Sequence, residues 1–190
     1  FNNSIEIINE DFLNIKFEKS DLKDVKIYGN LPYNISSQIL IKLIKLYSEG
    51  YKFKYLILMF QKEVADRILS KEGSKKYSRI SVISQWLMNV ERICDVKSTS
   101  FFPSPKVESS VLLFKPKKNY FYLKNIKNLE HVTNVFFNLR RKMIKKPINI
   151  LFKNTDLITK RLNLDLTIRP EKISPNLYYE ICNEYESLTQ

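Results

Sequence analysis

Four consecutive residues, Asn30-Leu31-Pro32-Tyr33, place an amide, a proline carbonyl and an aromatic face within one short stretch. That set answers a particular chemical problem. An exocyclic amine on a nucleobase is a poor nucleophile, because its lone pair is delocalised into the ring. The Asn30 side-chain oxygen and the Pro32 carbonyl can each accept one N–H, which favours the pyramidal nitrogen that exists only in the transition state. Proline donates no N–H and holds its own φ, so a stiff loop presents the carbonyl without a competing donor. Tyr33 offers a ring for stacking an extruded base, a contact worth roughly 1 to 3 kcal/mol. Aligning the amine with an electrophilic methyl is then a matter of positioning rather than of proton transfer. Taken as an isolated tetrapeptide, the same residues read more readily as a strand-ending turn, where Asn and Pro are common.

The elements that must position this tetrapeptide are legible in the hydrophobic pattern. Residues 4 to 8 alternate like a strand and run into the turn formers Asn9, Glu10 and Asp11. Val25 to Tyr28 reads as a second strand, stopped by Gly29-Asn30 and Pro32. Ile35, Ile39, Leu40, Leu43, Ile44 and Tyr47 follow at helical spacing, with Ser36 and Ser37 available as caps. Tyr55 to Phe60 is a continuous apolar run suited to a strand buried on both faces of a parallel sheet. Helices are expected from Glu63 to Ser70 and over Ile80, Ile83, Trp86, Leu87 and Val90. Ile93 to Ser98 and Ser109 to Lys115 read as two strands joined by the proline-rich loop Phe101 to Glu108. This order predicts an open α/β sheet with crossover connections and a β-hairpin at one edge, its ligands lying at the carboxyl ends of parallel strands. From residue 118 onward the periodic segments are helical. Val132, Val135, Phe136, Leu139 and Met143 share one face, Asp156 begins a short helix, and Ser174-Pro175 is an N-cap and first helical residue.

Composition removes several classes of function. The 190 residues carry 32 Lys plus Arg against 20 Asp plus Glu, a formal charge of +12, which favours an anionic partner such as nucleic acid or an acidic membrane surface. A single His, His131, argues against histidine-based catalysis and multi-histidine metal sites. Cys94 and Cys182 lie far apart, with no CxxC pair to indicate a disulfide scaffold, zinc site or iron–sulfur cluster. The three glycines, at 29, 50 and 73, form neither a GxGxxG nor a Walker-type loop. No run approaches the roughly 20 apolar residues of a membrane span. A reducing, cytoplasmic setting and a monomer without membrane attachment are expected.

Beyond the tetrapeptide, further ordered stretches carry a family resemblance. Asn30-Leu31-Pro32-Tyr33-Asn34-Ile35-Ser36-Ser37, Gln61 to Arg67, Tyr77 to Val82, Phe101 to Ser109 and Arg140-Arg141-Lys142 occur in this order. Together they resemble the small-subunit ribosomal RNA adenine N6,N6-dimethyltransferases, the KsgA/Dim1 family, over essentially the whole chain. The resemblance implies a Rossmann-like class I methyltransferase sheet over residues 1 to 117 and a small all-helical RNA-binding domain over 118 to 190. It implies S-adenosylmethionine as cofactor, small-subunit ribosomal RNA and the pre-ribosomal small subunit as partners, and no metal. Asn30, Pro32 and Tyr33 match the target-adenine motif, and Leu31 lies within it. Asn30 also borders the cofactor pocket, and Asp11 matches the acceptor for the cofactor's adenine amine, though a turn or cap role is open for it. Phe101 matches an aromatic beside the flipped base, with a core role as the other reading, and Lys106 belongs to the same loop. Gln61 and Glu63 match a signature without an evident chemical role, and Arg79 reaches either RNA or a carboxylate. The family's glycine-rich cofactor loop has no counterpart here, so the chain is expected to be the back part of a longer enzyme, binding cofactor weakly by itself. Ser78 stands for a usual Gly and Ser104 for a frequent Pro, and Pro147 is expected to interrupt a basic helix.

The basic excess is concentrated. Between Lys115 and Pro147 there are ten Lys or Arg and one acid, a local balance of +9. Arg140, Arg141, Lys142, Lys145 and Lys146 are expected to surround one helical stretch and to contact phosphates without reading sequence. The same charges also suit a merely solvated face. Competing functions are a large-subunit adenine methyltransferase of the macrolide-resistance type, and a ribosome-assembly or mitochondrial transcription factor that keeps the scaffold without catalysis.

Overall fold

The computed structural model describes residues 5 to 188. Four strands form one sheet in the order β1-β2-β4-β3, where β1 is Lys26–Asn30, β2 Tyr55–Gln61, β3 Met88–Val96 and β4 Ser109–Pro116. Only β1 and β2 are parallel; β4 runs antiparallel to both β2 and β3, making the expected edge hairpin. The crossover from β1 to β2 is α1, Ser36–Ser48, and β2 passes directly into α2, Lys62–Leu69. α3, Arg79–Leu87, precedes β3. The described residues after Pro116 form helices only: α4 Ile126–Asn138, α5 Lys145–Leu151, α6 Thr155–Arg161 and α7 Pro175–Leu188, with α4 and α7 packed on α3.

One face of the sheet is better covered than the other. Leu56, Leu58 and Phe60 of β2 and Leu112 and Phe114 of β4 are fully buried and share a face, because Leu56 pairs with Phe114 and Leu58 with Leu112. They join one core with Leu40, Leu43 and Ile44 of α1 and Val82, Ile83 and Trp86 of α3. Tyr55, Ile57 and Met59 on the opposite face are only half-buried. β2 is therefore not the doubly buried strand expected from its composition, because its second neighbour is antiparallel and no described helix closes that face. Pairing of Tyr28 with Ile57 and of Asn30 with Met59 puts Asn30 on the more open side, at the carboxyl end of β1. Gly29 between them is required by space: a Cβ there would lie 2.8 Å from both Leu31 and Leu58 side chains.

Several expectations are corrected. Residues 5 to 9 form no strand, and Ile5 and Ile7 are exposed; alternation makes a strand only beside a ladder partner, and none lies alongside among the described residues. Ser4 falls outside them. β1 includes Gly29 and Asn30 rather than stopping before them. Neither Ser36 nor Ser37 caps α1: Ser36 is its first residue and donates back to the Tyr33 carbonyl at 3.1 Å. The helix expected to reach Val90 ends at Leu87, since Met88, Asn89 and Val90 pair with Pro116, Lys115 and Phe114. α4 ends at Asn138, so Met143 leaves the shared face and is exposed. Pro147 sits in the first turn of α5, where its missing N–H is not required, and does not interrupt a helix. Ser174 does cap α7, accepting from the Leu177 N–H at 3.3 Å.

Candidate active site and nucleic-acid interface

The chain leaves β1 at Asn30 and turns through Pro32 and Tyr33 into α1, so a strand end and a helix start fix both ends of the tetrapeptide. Asn30 is exposed, and its amide makes no hydrogen bond within the described residues. The Pro32 carbonyl is not wholly free of competition, since the Ile35 N–H donates to it at 3.2 Å. A carbonyl has two lone pairs, so one remains for a ligand. Tyr33 is half-buried, and its hydroxyl lies 2.6 Å from Ser109 Oγ at the start of β4.

A cavity of about 280 Å³ opens at this corner, with Asn30, Leu31, Pro32 and Tyr33 on one wall and Phe101, Phe102, Pro103 and Pro105 on the other. Its size is near the lower end of small-ligand pockets, about 300 Å³. Phe101 is half-buried beside it rather than sunk in the core, while Phe102 is fully exposed. Lys106 is exposed on the same loop but does not line the cavity. The loop is tied down at its end. The Lys62 N–H donates to the Glu108 carbonyl at 2.9 Å, and Lys62 Nζ reaches Glu108 Oε2 at 2.6 Å and Asp95 Oδ2 at 3.5 Å. The Glu108 hydrogen bond and both carboxylates raise the Lys62 pKa. Gln61, the last residue of β2, pairs with Ser109, which gives that signature residue a structural place; Glu63 lies in the first turn of α2. Arg79 reaches Asn134 and Glu130 rather than standing open.

Asp11 is exposed in a turn, where Oδ1 accepts from the Leu13 N–H at 2.9 Å and Oδ2 from the Asn14 amide at 3.3 Å. It is not among the residues lining the cavity at Asn30. The segment after it is held by Lys42 of α1, whose ammonium donates to the carbonyls of Phe12, Leu13 and Ile15 at 2.6, 3.0 and 2.6 Å, between the Phe12 and Phe17 rings. Burial pushes the Lys42 pKa down, opposed by the nearby Asp11. Sequence reasoning missed Lys42; the available signal was a cation set between Ile41 and Leu43 in an apolar helix.

The basic residues divide in a way their adjacency conceals. Arg140, Arg141 and Lys142 occupy the turn between α4 and α5, and Lys145 and Lys146 open α5, so they do not share one helix. Arg141, Lys142, Lys145 and Lys146 line a hollow of about 550 Å³ together with Met143, Asn149, Thr167 and Arg169. None of these five cationic side chains has a partner among the described residues. The back wall is fixed by backbone bonds from Ile144 to Ile168 at 2.9 Å and from Lys145 to Leu166 at 3.3 Å. Arg140 turns elsewhere: Nη2 donates to the Lys75 carbonyl at 2.6 Å, and Nε lies 3.8 Å from Glu171. Arg169 was not foreseen, because no local pattern links it to residues 141 to 146. Among the described residues no three His, Cys, Asp or Glu cluster as metal ligands, and no helix is long and apolar enough to cross a membrane.

Comparison with known proteins places the chain in a family. The family model for ribosomal RNA adenine dimethylase matches residues 1 to 187. Ribosomal RNA small subunit methyltransferase A of Pelagibacter ubique (strain HTCC1062) is 47% identical over 190 residues, covering 99% of this chain and 72% of the relative. The protein of the same name from Ehrlichia canis (strain Jake) is 41% identical over 187 residues, covering 96% and 69%. A dimethyladenosine transferase from Plasmodium falciparum superposes with a TM-score of 0.80 at 26% identity, covering 97% of this chain and 74% of that one, so the mixed sheet and its helices have the class I methyltransferase fold. The 23S rRNA methyltransferase ErmE, at 17% identity and a TM-score of 0.62 over 97% and 72% of the two chains, shares the fold alone. With the family model spanning nearly all residues and relatives this similar, the chain belongs to the ribosomal RNA adenine dimethylase family.

Proposed function

We propose that this protein is an S-adenosylmethionine-dependent methyltransferase that dimethylates adenine N6 of small-subunit ribosomal RNA during maturation of that subunit. One observation carries the reading: the corner at residues 30 to 33 offers an uncommitted amide, a carbonyl with a spare lone pair and an anchored ring to one cavity shared with Phe101. When bound, S-adenosylmethionine supplies an electrophilic methyl group. Asn30 and Asp11 would hold it. Asn30 fits that task through its free amide at the carboxyl end of a parallel strand, and the Asp11 carboxylate, with two donors already placed, retains acceptor capacity.

The chain's own residues do the remaining work. In the first transfer Asn30 Oδ1 and the Pro32 carbonyl accept the two N–H groups of the adenine amine and localise its lone pair on nitrogen. In the second, one of them accepts the remaining N–H, and each transfer ends with loss of one proton from nitrogen to solvent. As that nitrogen becomes positively charged, the same oxygens stabilise the charge in place. Tyr33 and Phe101 hold the extruded base, with Leu31 against its edge. Arg141, Lys142, Lys145 and Lys146, joined by Arg169, contact phosphates, and Lys106 meets the backbone nearest the cavity. In this reading residues 1 to 117 form the methyl-transferring part and residues 118 to 190 the helical RNA-binding part of a monomeric cytoplasmic enzyme without membrane attachment. The small-subunit assignment is supported by the names of the relatives at 47% and 41% identity. The test is Asn30→Ala in the methyl-donor assay. Methylation should fall at least about a hundredfold, as for loss of one transition-state acceptor, while binding to immature small subunits stays within about twofold. Retained methylation would refute the role of the corner.

A further inference from the structure

We infer that Ser109 is a positioning residue of this reaction, acting only through the hydroxyl of Tyr33; the inference rests on the reading of Tyr33 as the stacking residue. Ser109 is fully buried. A buried hydroxyl is costly unless it is partnered, and the hydrogen bond recorded for Ser109 Oγ is the 2.6 Å contact with Tyr33 Oη, across 76 residues of sequence. The next residue follows the same rule with a different partner: Ser110 Oγ donates to Asp95 at 2.6 Å. Two adjacent serines in a strand of Val, Leu and Phe are thus each placed for one bond, and one of those bonds leads to the proposed active site.

The place of Ser109 in the sheet makes it a firm anchor. It is the first residue of β4 and is registered against both neighbouring strands, opposite Gln61 of β2 and Val96 of β3. The residue before it, Glu108, is bonded to Lys62 through backbone and side chain. Tyr33, by contrast, sits in a turn at the cavity wall. A tyrosine ring is set by two torsions, and fixing its far end removes the freedom of both. Without that bond the ring can swing across a cavity of about 280 Å³ and no longer presents one face beside Phe101. The bond ties the wall that carries Asn30 and Pro32 to the strand that carries the Phe101 loop, so the width between the stacking surfaces is set by the sheet. Loss of such preorganisation lowers the rate of the bound complex more than the affinity, because the proposed phosphate contacts lie in the cationic hollow, which shares no lining residue with this cavity.

The experiment is a kinetic double-mutant cycle on methyl transfer to immature small subunits, with Ser109→Ala, Tyr33→Phe and the double variant. Tyr33→Phe removes the same bond without touching a buried sheet position, so the test survives poor folding of the Ser109 variant. Each single variant should lower kcat by about the same factor, near tenfold, with KM for RNA within twofold, and the double variant should be no slower than either. A 2-aminopurine base at the target position should show the same coupled change in fluorescence on binding. Unchanged kcat in Tyr33→Phe overturns the inference, and so do losses that multiply in the double variant. Asn30→Ala is run alongside. If it stays active, the reading of the corner itself has failed; if it is inactive while Tyr33→Phe is unaffected, only the role of Ser109 has failed.

Discussion

Neutralising one of two adjacent arginines should change RNA binding, and neutralising the other should change stability. Arg141 and Lys142 line the 550 Å³ hollow with no protein partner, whereas Arg140 is committed to the Lys75 carbonyl and to Glu171. Each phosphate deprived of its cation takes about 0.9 from the slope of log K against log salt for duplex and about 0.7 for single strands. Arg141→Gln with Lys142→Gln should therefore flatten the slope by about 1.4 to 1.8, so that the parent's advantage in affinity shrinks about tenfold between about 50 and 200 mM salt for the duplex value. Arg140→Gln should leave the slope unchanged. It removes a charge-assisted hydrogen bond and leaves the buried Glu171 Oε2 without its nearest cation, so unfolding free energy should fall by about 1.5 to 3 kcal/mol. The assay is fluorescence anisotropy of a labelled small-subunit RNA fragment across salt concentrations, paired with urea unfolding. Equal flattening by Arg140→Gln and Arg141→Gln would refute the division drawn from the structure.

Two further outcomes follow from the contacts around the site. Lys42→Met deprives three backbone carbonyls of their donor, so amides of residues 12 to 16 should exchange hydrogen at least about tenfold faster, as expected for loss of roughly 1.5 kcal/mol or more of local stability; unchanged exchange would show the segment to be held otherwise. The Lys76 hydrogen bond, then that from Arg92, holds the Asp66 carboxyl below its ordinary range despite partial burial. A folded value below the unfolded one contributes stability fully present above about pH 4 and lost as pH falls through the lowered folded value. Asp66→Asn should thus be less stable than the parent at neutral pH by under about 1 kcal/mol, since the pair is partly solvated, and should match it in strong acid; a gap persisting at low pH would contradict this.

The tetrapeptide at residues 30 to 33 and the loop at Phe101 were legible because local chemistry and order along the chain carry them. Most helices and the edge hairpin were legible from periodicity, but their ends were not. Val90 keeps helical spacing from Ile80 yet lies in β3, since pairing with Phe114 outweighs a local pattern. Met143 keeps the spacing of α4 yet is exposed, since the chain turns at Leu139 to deliver Arg140 to Lys75. Arg169 and the Tyr33 to Ser109 bond were invisible for one shared reason: each joins residues far apart in sequence, and only packing brings them together; Lys42 showed as a cation in an apolar helix, but its partners at residues 12 to 15 did not.

The central claim concerns which atom receives the methyl group. Purified immature small subunits incubated with the protein and isotopically labelled methyl donor, then digested to nucleosides and resolved by mass, report it directly. Labelled N6,N6-dimethyladenosine from small-subunit RNA, absent with Asn30→Ala, is the predicted result. Label on another base, on large-subunit RNA alone, or undiminished with Asn30→Ala would contradict the account.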